Sequence, residues 1–325
     1  MVEGSPDHRP PPEVAPILDR CKPLRRISYA AVVFGGMVWG VLNTNQARAH
    51  EADWKDVVPP STTIVLPSTE PSQKEKSQML DHAARSVFRV VSRPRQGKIT
   101  AGCGFILEAP TDGDKGPKYH PESVYMLSNY HVIDNVYKDE GLAQVELIFP
   151  RQNHRRISEV QPTIISLQEY NAPDLAVLEY PAIALKGLEV TGLALCDEEY
   201  SPQNGQTVHL LSGGGKGLHI HDVEPAEHKV TRECVEDIKR PHAGLAFVCD
   251  NGVKEKGSSG SPTLVFRDLG KQWKYTVMGI HHDTQPARNE FGAIHPRTIR
   301  KFLEDQGILR KRSNQASTFA MKEGR

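Results

Sequence analysis

Residues 257–266 read GSSGSPTLVF, a turn rich in Gly and Ser that leads directly into a short run of apolar and β-branched residues. The same alternation of turn and short run recurs along the chain, as in SVFRVV (86–91), SVYMLS (123–128), QVELIFP (144–150), DLAVLEY (174–180), TVHLLS (207–212), LAFVC (245–249) and YTVMGI (275–280). Many short strands at this spacing are typical of an all-β sandwich or barrel. Two helices are also predicted, from QMLDHAARSV before these strands and PRTIRKFLEDQ after them.

The composition is that of a globular protein without excess charge of either sign. Among the 325 residues, 40 Lys and Arg balance 40 Asp and Glu. Nucleic-acid binding needs clustered positive charge, so no nucleic-acid partner is expected. The apolar share of 38% likewise excludes collagen, coiled coils and multi-pass membrane proteins.

The chain divides by composition into four segments. In residues 1–49, Arg25 and Arg26 precede an apolar run (27–42) and then the sequence ARA (47–49), which predicts a signal peptide or an uncleaved N-terminal anchor. Residues 50–78 resemble a linker or propeptide, residues 79–306 the folded domain, and residues 307–325 a polar tail. We therefore expect a periplasmic or secreted protein that touches a membrane only if its first segment stays uncleaved.

Cysteines are few, and one of the five, Cys21, lies in the leader. The other four, in an oxidising compartment, allow three pairings. We expect a Cys234–Cys249 disulfide, because it closes a short loop just before the GSSGSP turn. Four buried free thiols are the alternative.

The GSSGSP turn also supplies a candidate nucleophile. Ser259 stands between Gly257 and Gly260, which permits a tight turn that presents the hydroxyl and leaves N–H groups free. A hydroxyl needs an adjacent base to attack, and a Gly/Ser turn by itself is commonplace. However, His131 directly follows a strand in MLSNYHVI, and Asp174 begins DLAVLEY. The order His, Asp, Ser in these contexts indicates nucleophilic catalysis.

These segments resemble a known family. SNYHVI, DLAVL and GSSGSP are similar to the three motif blocks of the trypsin-like (chymotrypsin-fold) serine peptidases, and AGCGFIL (101–107) resembles the strand before their histidine. VMGIHHDTQPARNEFGAIHPRTIRKFLED (277–305) resembles the last strands and helix of the glutamyl-endopeptidase branch. The resemblance covers about residues 83–305. It implies an all-β fold of two six-stranded antiparallel β-barrels with a C-terminal helix, and a site between the barrels.

The resemblance also implies the roles of the site residues. Ser259 attacks a peptide carbonyl, His131 acts as general base, and Asp174 orients the imidazole. The backbone N–H groups of Gly257 and Ser259 form the oxyanion hole. Such an exported serine endopeptidase cleaves protein or peptide substrates through an acyl-enzyme and needs no cofactor and no metal ion. An esterase with the same triad and a non-catalytic peptide-binding module are the alternatives, and the oligomeric state is left open.

Specificity residues follow from the same comparison. His281, in GIH, matches the position from which the glutamyl branch points an imidazole into its specificity pocket, so a preference for acidic residues, above all Glu, is expected. Lys254 stands where that branch has a small hydroxyl residue, and it could supply positive charge or point to solvent. His282 is the third substrate-binding candidate, while Asp283 could repel an acidic substrate.

Overall fold

The structure is a computed structural model of the chain. It describes residues 70–95, 97–138, 144–166, 172–197, 199–213, 222–236, 244–250, 257–269, 273–285 and 288–311, without the side chains of 135–138, 166, 234–236, 283 and 285. The predicted signal or anchor segment (1–49) and Lys254 lie outside these residues. Within the described ranges, no helix combines the length and the apolar character needed to cross a bilayer.

Helices are few and strands dominate the described chain. The α-helices are α1 (Gln73–Ala84), α2 (Tyr130–Lys138) and α3 (Pro296–Asp305), with a short 3₁₀ helix at Ala182–Leu185. The strands are β1 (Val87–Arg93), β2 (Thr100–Ile106), β3 (Ser123–Ser128), β4 (Gln144–Phe149), β5 (Arg155–Ile157), β6 (Thr163–Ser166), β7 (Ala176–Pro181), β8 (Thr207–Ser212), β9 (Glu224–Glu236), β10 (Leu245–Asp250), β11 (Pro262–Asp268), β12 (Trp273–Gln285) and β13 (Glu290–Ile294).

The strands form two antiparallel lobes. The second lobe is a closed barrel in the order β10-β13-β12-β11-β8-β9. The first is a seven-stranded sheet in the order β5-β4-β1-β2-β3-β7-β6. The predicted chymotrypsin-like, all-β fold with a C-terminal helix is therefore confirmed. The first lobe is more open than a six-stranded barrel, because its short edge strands β5 and β6 do not pair with each other among the described residues.

Burial explains which strands the sequence pattern predicts. All six residues of β3 are buried, and so are the first six of β1, because both strands have packed neighbours on each face. Their sequences accordingly read as mainly apolar and β-branched runs, although β1 includes the buried Arg89. The 13-residue strand β9 is polar on its exposed face, and the sequence pattern did not indicate it.

Helix α1 begins inside the segment predicted as a linker. Ser72 is its N-cap: Ser72 Oγ accepts a hydrogen bond from Glu75 N, and the Glu75 carboxylate accepts one from Ser72 N. This reciprocal pair is a capping box, which satisfies two backbone donors at the helix start. Folded structure therefore starts before residue 79, the predicted boundary.

The chain after α3 also departs from the expectation of a polar tail starting at residue 307. Gly307 adopts a φ of +76°, Gly307 N donates to Glu304 O, and Ile308 N donates to Leu303 O. These two bonds form a Schellman motif, which ends a helix with a glycine followed by an apolar residue. Ile308 and Leu309 are consequently buried, and Ile308 O accepts a bond from Gly116 N of the first lobe.

The predicted Cys234–Cys249 disulfide is wrong, because Cys249 is a free, buried thiol. The strand register gives the reason: Cys249 pairs with Val230 of β9, four residues before Cys234. At about 3.3 Å per residue this separates the two positions by about 13 Å, far beyond the reach of a disulfide. Cys103 and Cys196 are free and buried as well. At these three positions the structure therefore agrees with the alternative, in which the cysteines are buried free thiols.

Candidate active site

His131 lies in the first turn of α2, which begins directly after β3. Asn129 Nδ2 donates to the backbone carbonyl of Asp174 at 2.8 Å, and Tyr130 N donates to the same oxygen at 3.4 Å. Val132 and Ile133 are buried, so the helix is held by its apolar side. The His131 side chain is left 43% exposed, as a group that must meet a substrate requires.

The Asp174 carboxylate is the centre of the cluster. Its side chain is only 2% exposed. Asp174 Oδ2 lies 2.5 Å from His131 Nδ1, and Asp174 Oδ1 accepts a 2.9 Å bond from the backbone N–H of His131. The two bonds hold one histidine by both its ring and its main chain, which fixes the direction of the imidazole.

A second imidazole meets the same carboxylate. His282, on β12, has its Nδ1 3.0 Å from Asp174 Oδ2. An ionised carboxylate only accepts hydrogen bonds, so both Nδ1 atoms carry the proton. In His131 this leaves Nε2 with a lone pair, which is the tautomer that a general base needs.

The hydrogen bonds keep Asp174 ionised. Burial alone would raise the pKa of this carboxyl, but the bonds from His131 and His282 outweigh it and hold the pKa well below its usual value. A carboxylate that stays charged in a buried place can stabilise an imidazolium beside it.

Ser259 is positioned by its main chain. Its carbonyl oxygen accepts a 2.7 Å bond from Cys103 N on β2, while Gly260 N donates to His281 O at 2.9 Å. A β-carbon added at Gly102 would lie 2.8 Å from Ser259 O and 2.5 Å from Val132 Cγ2. Glycine at 102 therefore lets the serine turn and the histidine helix pack against the same point of β2.

The turn also leaves backbone donors available. Gly257 has a φ of +92°, in the region that favours glycine. In the described part of the chain, the N–H groups of Gly257 and Ser259 make no hydrogen bond, whereas those of Gly260 and Ser261 bond to His281 O and Ser258 O. Two unused donors beside one hydroxyl are what binding of an oxyanion requires.

The candidate residues His131, Asp174 and Ser259 thus lie on neighbouring segments, but not all of them are hydrogen-bonded to one another. Among the described residues, no hydrogen bond joins Ser259 Oγ to His131 Nε2. Such a bond is often long or misaligned before substrate binds and tightens only in the complex.

The predicted specificity residues fall in different places. His281 is 2% exposed; its ring packs on Phe291, with 5.3 Å between centroids, and its Nε2 lies 3.3 Å from Thr284 Oγ1. Burial, and after it the neighbouring His282, lowers the pKa of His281 to about 3, so the ring is neutral at pH 7. His282, predicted to bind substrate, instead contacts Asp174.

The cluster could in principle also hold a metal ion, because ligand atoms of His131, Asp174 and His282 all lie within 4.8 Å of one another. Two ligands of a tetrahedral Zn²⁺ are about 3.3 Å apart, given Zn–N bonds of about 2.0 Å. The separations of 2.5 and 3.0 Å are those of charge-assisted hydrogen bonds. The arrangement therefore fits a hydrogen-bonded network rather than a metal centre.

Sequence reasoning missed the part that Asn129 plays, and it assigned His282 to substrate binding rather than to the contact with Asp174. Asn129 precedes the histidine helix in SNYH, and an Asn before a helix is a common start signal. His282 had no such signal, because its contact depends on how β12 lies against the start of β7. Neither long-range contact has a periodicity that could reveal it.

No protein-family model and no curated protein matches the sequence. Among solved structures, a serine endoprotease from Yersinia pestis is 20% identical, covers 73% of this chain and 68% of its own, and has a TM-score of 0.46. A protease from M. tuberculosis in its active form is 20% identical, covers 78% and 96%, and scores 0.47. An inactivated protease paralogue from the scabies mite is 17% identical, covers 69% and 95%, and scores 0.47. Such values concern the fold at most, and they give the glutamyl-endopeptidase branch no support.

Proposed function

We propose that this chain is a serine endopeptidase that uses Ser259 as nucleophile, His131 as general base and Asp174 as its orienting carboxylate. The observation that carries the proposal is the 2.5 Å contact between His131 Nδ1 and the buried carboxylate of Asp174. Bonded in this way, the half-exposed imidazole presents a basic Nε2 to solvent and to an incoming substrate. The Ser259 hydroxyl belongs to a turn that is hydrogen-bonded to β2, the strand against which the His131 helix also packs. The N–H groups of Gly257 and Ser259, which make no hydrogen bond among the described residues, support an oxyanion hole.

The proposed reaction follows from these positions. Ser259 Oγ attacks the peptide carbonyl while His131 Nε2 takes its proton, and the carbonyl oxygen becomes an oxyanion facing the N–H groups of Gly257 and Ser259. His131 then returns the proton to the leaving amine, and the acyl-enzyme forms. Water hydrolyses the acyl-enzyme by the same route, and an oxyanion-hole donor contributes about 3–4 kcal/mol to each transition state.

The decisive experiment is labelling of the full chain with a fluorophosphonate, followed by peptide mapping. We expect one label per chain on Ser259, and no label or hydrolysis in Ser259→Ala. Ser261→Ala, which alters a buried serine of the same turn, is the matched control and should still be labelled. An unlabelled wild-type chain that nevertheless binds peptides would support the second candidate, a non-catalytic peptide-binding module. The observation that favours this candidate is that no hydrogen bond joins Ser259 Oγ to His131 Nε2 among the described residues.

Substrate class separates the peptidase from the esterase, since both share acyl transfer at Ser259. Cleavage of a casein or peptide library supports the peptidase, whereas turnover of esters without peptide cleavage contradicts it. The library also tests the proposed preference for acidic residues. His281 supports that preference through the position that the resemblance gives its imidazole, from which a ring N–H could donate to a substrate carboxylate. Cleavage indifferent to Glu and Asp would contradict it.

Export from the cytoplasm is the remaining part of the proposal. It is supported by the paired arginines, the apolar run and the ARA sequence of residues 25–49. N-terminal sequencing of the protein recovered from its natural host would test it. A mature chain beginning at or after residue 50 is expected, and an intact cytoplasmic chain would contradict it.

A further inference from the structure

The carboxylate of the proposed triad is shared by two imidazoles, which supply donors from opposite lobes. His131 reaches Asp174 Oδ2 from α2 of the first lobe, and His282 reaches the same oxygen from β12 of the second. His282 is 7% exposed, so this contact is shielded from water. A buried, charge-assisted bond of this kind is among the stronger hydrogen bonds in proteins.

We propose that His282 is a positioning residue, which holds the Asp174 carboxylate in the orientation that His131 needs and whose charge state sets how far into acid His131 can work. The inference rests on the proposed function. His282 contacts Asp174 rather than an atom that reacts in the proposed mechanism. It acts through Asp174, so it is not itself a catalytic residue.

The first part of the inference follows from the donors around the carboxylate. Oδ1 accepts the main-chain N–H of His131, and Oδ2 accepts two ring N–H groups. Without His282, Oδ2 would lose one of its ring donors, and a carboxylate with fewer donors turns more freely about its χ2 bond. The His131 ring would then lose part of the alignment that directs Nε2 towards Ser259.

The second part follows from the charges. Among the described side chains, the groups that meet here are His131 from α2, Asp174 from the start of β7, and His281 and His282 from β12, with His228 of β9 beyond His281. The Asp283 side chain is not among those described. One carboxylate can offset one imidazolium, and a second positive charge at the same oxygen is opposed by the first. Positive charges on His282 and on His131 therefore oppose each other at the oxygen that both rings share.

Two variants of the full chain separate these effects. His282→Asn replaces the ring by a side-chain amide that can still donate to Asp174 but cannot titrate, whereas His282→Leu removes the donor. We expect His282→Leu to lower kcat by roughly 10- to 100-fold with KM nearly unchanged. We expect His282→Asn to keep kcat within about 5-fold at pH 8, because its donor remains. His209→Asn, which removes a histidine of β8 that has no contact with Asp174, is the control.

The pH profile is the readout that a merely structural role would not move. In His282→Asn, the acid limb of kcat/KM should shift to higher pH by roughly half a unit or more, because the opposing charge is gone. The control should keep the wild-type limb. Two results would overturn the inference. One is a wild-type kcat in His282→Leu that is folded and labelled, and the other is an acid limb that stays in place in His282→Asn.

Ring-¹⁵N NMR of the full chain decides the contact independently of activity, so it remains decisive even if fluorophosphonate labelling refutes the proposed function. At pH 8 we expect protonated Nδ1 atoms on both His131 and His282, and His282→Asn should remove the second signal only. A wild-type His282 protonated on Nε2 instead would overturn the inference.

Discussion

The two halves of the proposed active site are held by different kinds of contact. In the carboxylate half, side chains do the holding: the Asp174 carboxylate accepts bonds from the rings of His131 and His282. In the serine half, the main chain does it: Ser259 O bonds to Cys103 N, and Gly260 N bonds to His281 O. The Ser259 hydroxyl makes no bond of its own among the described residues.

This difference has a physical reason. A buried charge must be fully hydrogen-bonded to remain ionised, so the carboxylate needs donors of fixed geometry. The nucleophile must instead transfer its proton to the base and form a covalent bond, so its side chain is not held by hydrogen bonds while its backbone is fixed. Substitutions that remove a polar side chain should therefore damage the carboxylate half most. Substitutions of glycine that disturb the backbone conformation should damage the serine half most.

Asp174→Asn is expected to have the largest effect. The amide offers an N–H group where three donors already point at the side chain, so the His131 ring loses its acceptor and the tautomer with a basic Nε2. We expect kcat to fall by about 10⁴-fold, as loss of the correct tautomer does in such triads. Steady-state hydrolysis measures this, with Asp197→Asn, at an exposed carboxylate, as control. A loss below 10-fold would mean that the carboxylate half is not held as described.

Gly260→Ala tests the serine half by its backbone. Gly260 has a φ of +89°, and a β-carbon there would lie 2.0 Å from Cys103 O. We expect the free energy of unfolding to fall by about 3 kcal/mol or more, from the strained φ and the displaced strand together. Gly205→Ala is the matched control, because its φ is +78° but nothing lies within 4 Å, and it should lose only about 1–2 kcal/mol. Equal urea midpoints for both variants would contradict the close approach.

The sequence was informative where chemistry or burial leaves a local pattern. The runs that predicted β3 and β11 are buried strands, and His131, Asp174 and Ser259 each stand beside a strand that could be recognised. The capping box at Ser72 and the glycine after α3 also carried local signals, in S-x-x-E and in Gly307-Ile308, although the domain boundaries at 79 and 306 overlooked them.

The rest depends on how distant segments meet. His282 reaches Asp174 because β12 and β7 belong to different lobes that pack at this point, and Cys249 pairs with Val230 because of the register between β9 and β10. The bulges in that register arise from three-dimensional pairing rather than from local propensity. No spacing between residues in the sequence encodes either contact.

Acid should weaken the serine half before the carboxylate half. The pKa of His281 is lowered by burial to about 3, against about 6.5 in an unfolded chain. The unfolded chain thus binds more protons between these values, and the free energy of unfolding falls as pH drops below about 6.5. Asp174 has the opposite dependence: its pKa lies below the usual 3.8, so its contribution is complete above about pH 4 and is lost only in stronger acid.

Urea unfolding of Ser259→Ala between pH 7 and 4 measures this order. We expect the free energy of unfolding to fall by a few kcal/mol over that range, with His295 contributing because burial lowers its pKa to about 4. His281→Asn in the same background should reduce the slope, while His154→Asn, at an exposed histidine, should not. A stability that stays constant down to pH 4 would show that neither ring is kept neutral by burial.

Cys103→Ala should have the smallest effect and sharpens the contrast most. Cys103 Sγ donates a 3.3 Å bond to Gly257 O of the serine turn, but thiols are weak donors. We expect a loss of about 1 kcal/mol in the free energy of unfolding, and kcat within about 3-fold of wild type, because the backbone bond from Cys103 N to Ser259 O remains. Cys196→Ala, which truncates a buried thiol of the second barrel, should cost similar stability without touching the turn. A 100-fold lower kcat in Cys103→Ala alone would mean that the serine half, too, depends on a side chain for its geometry.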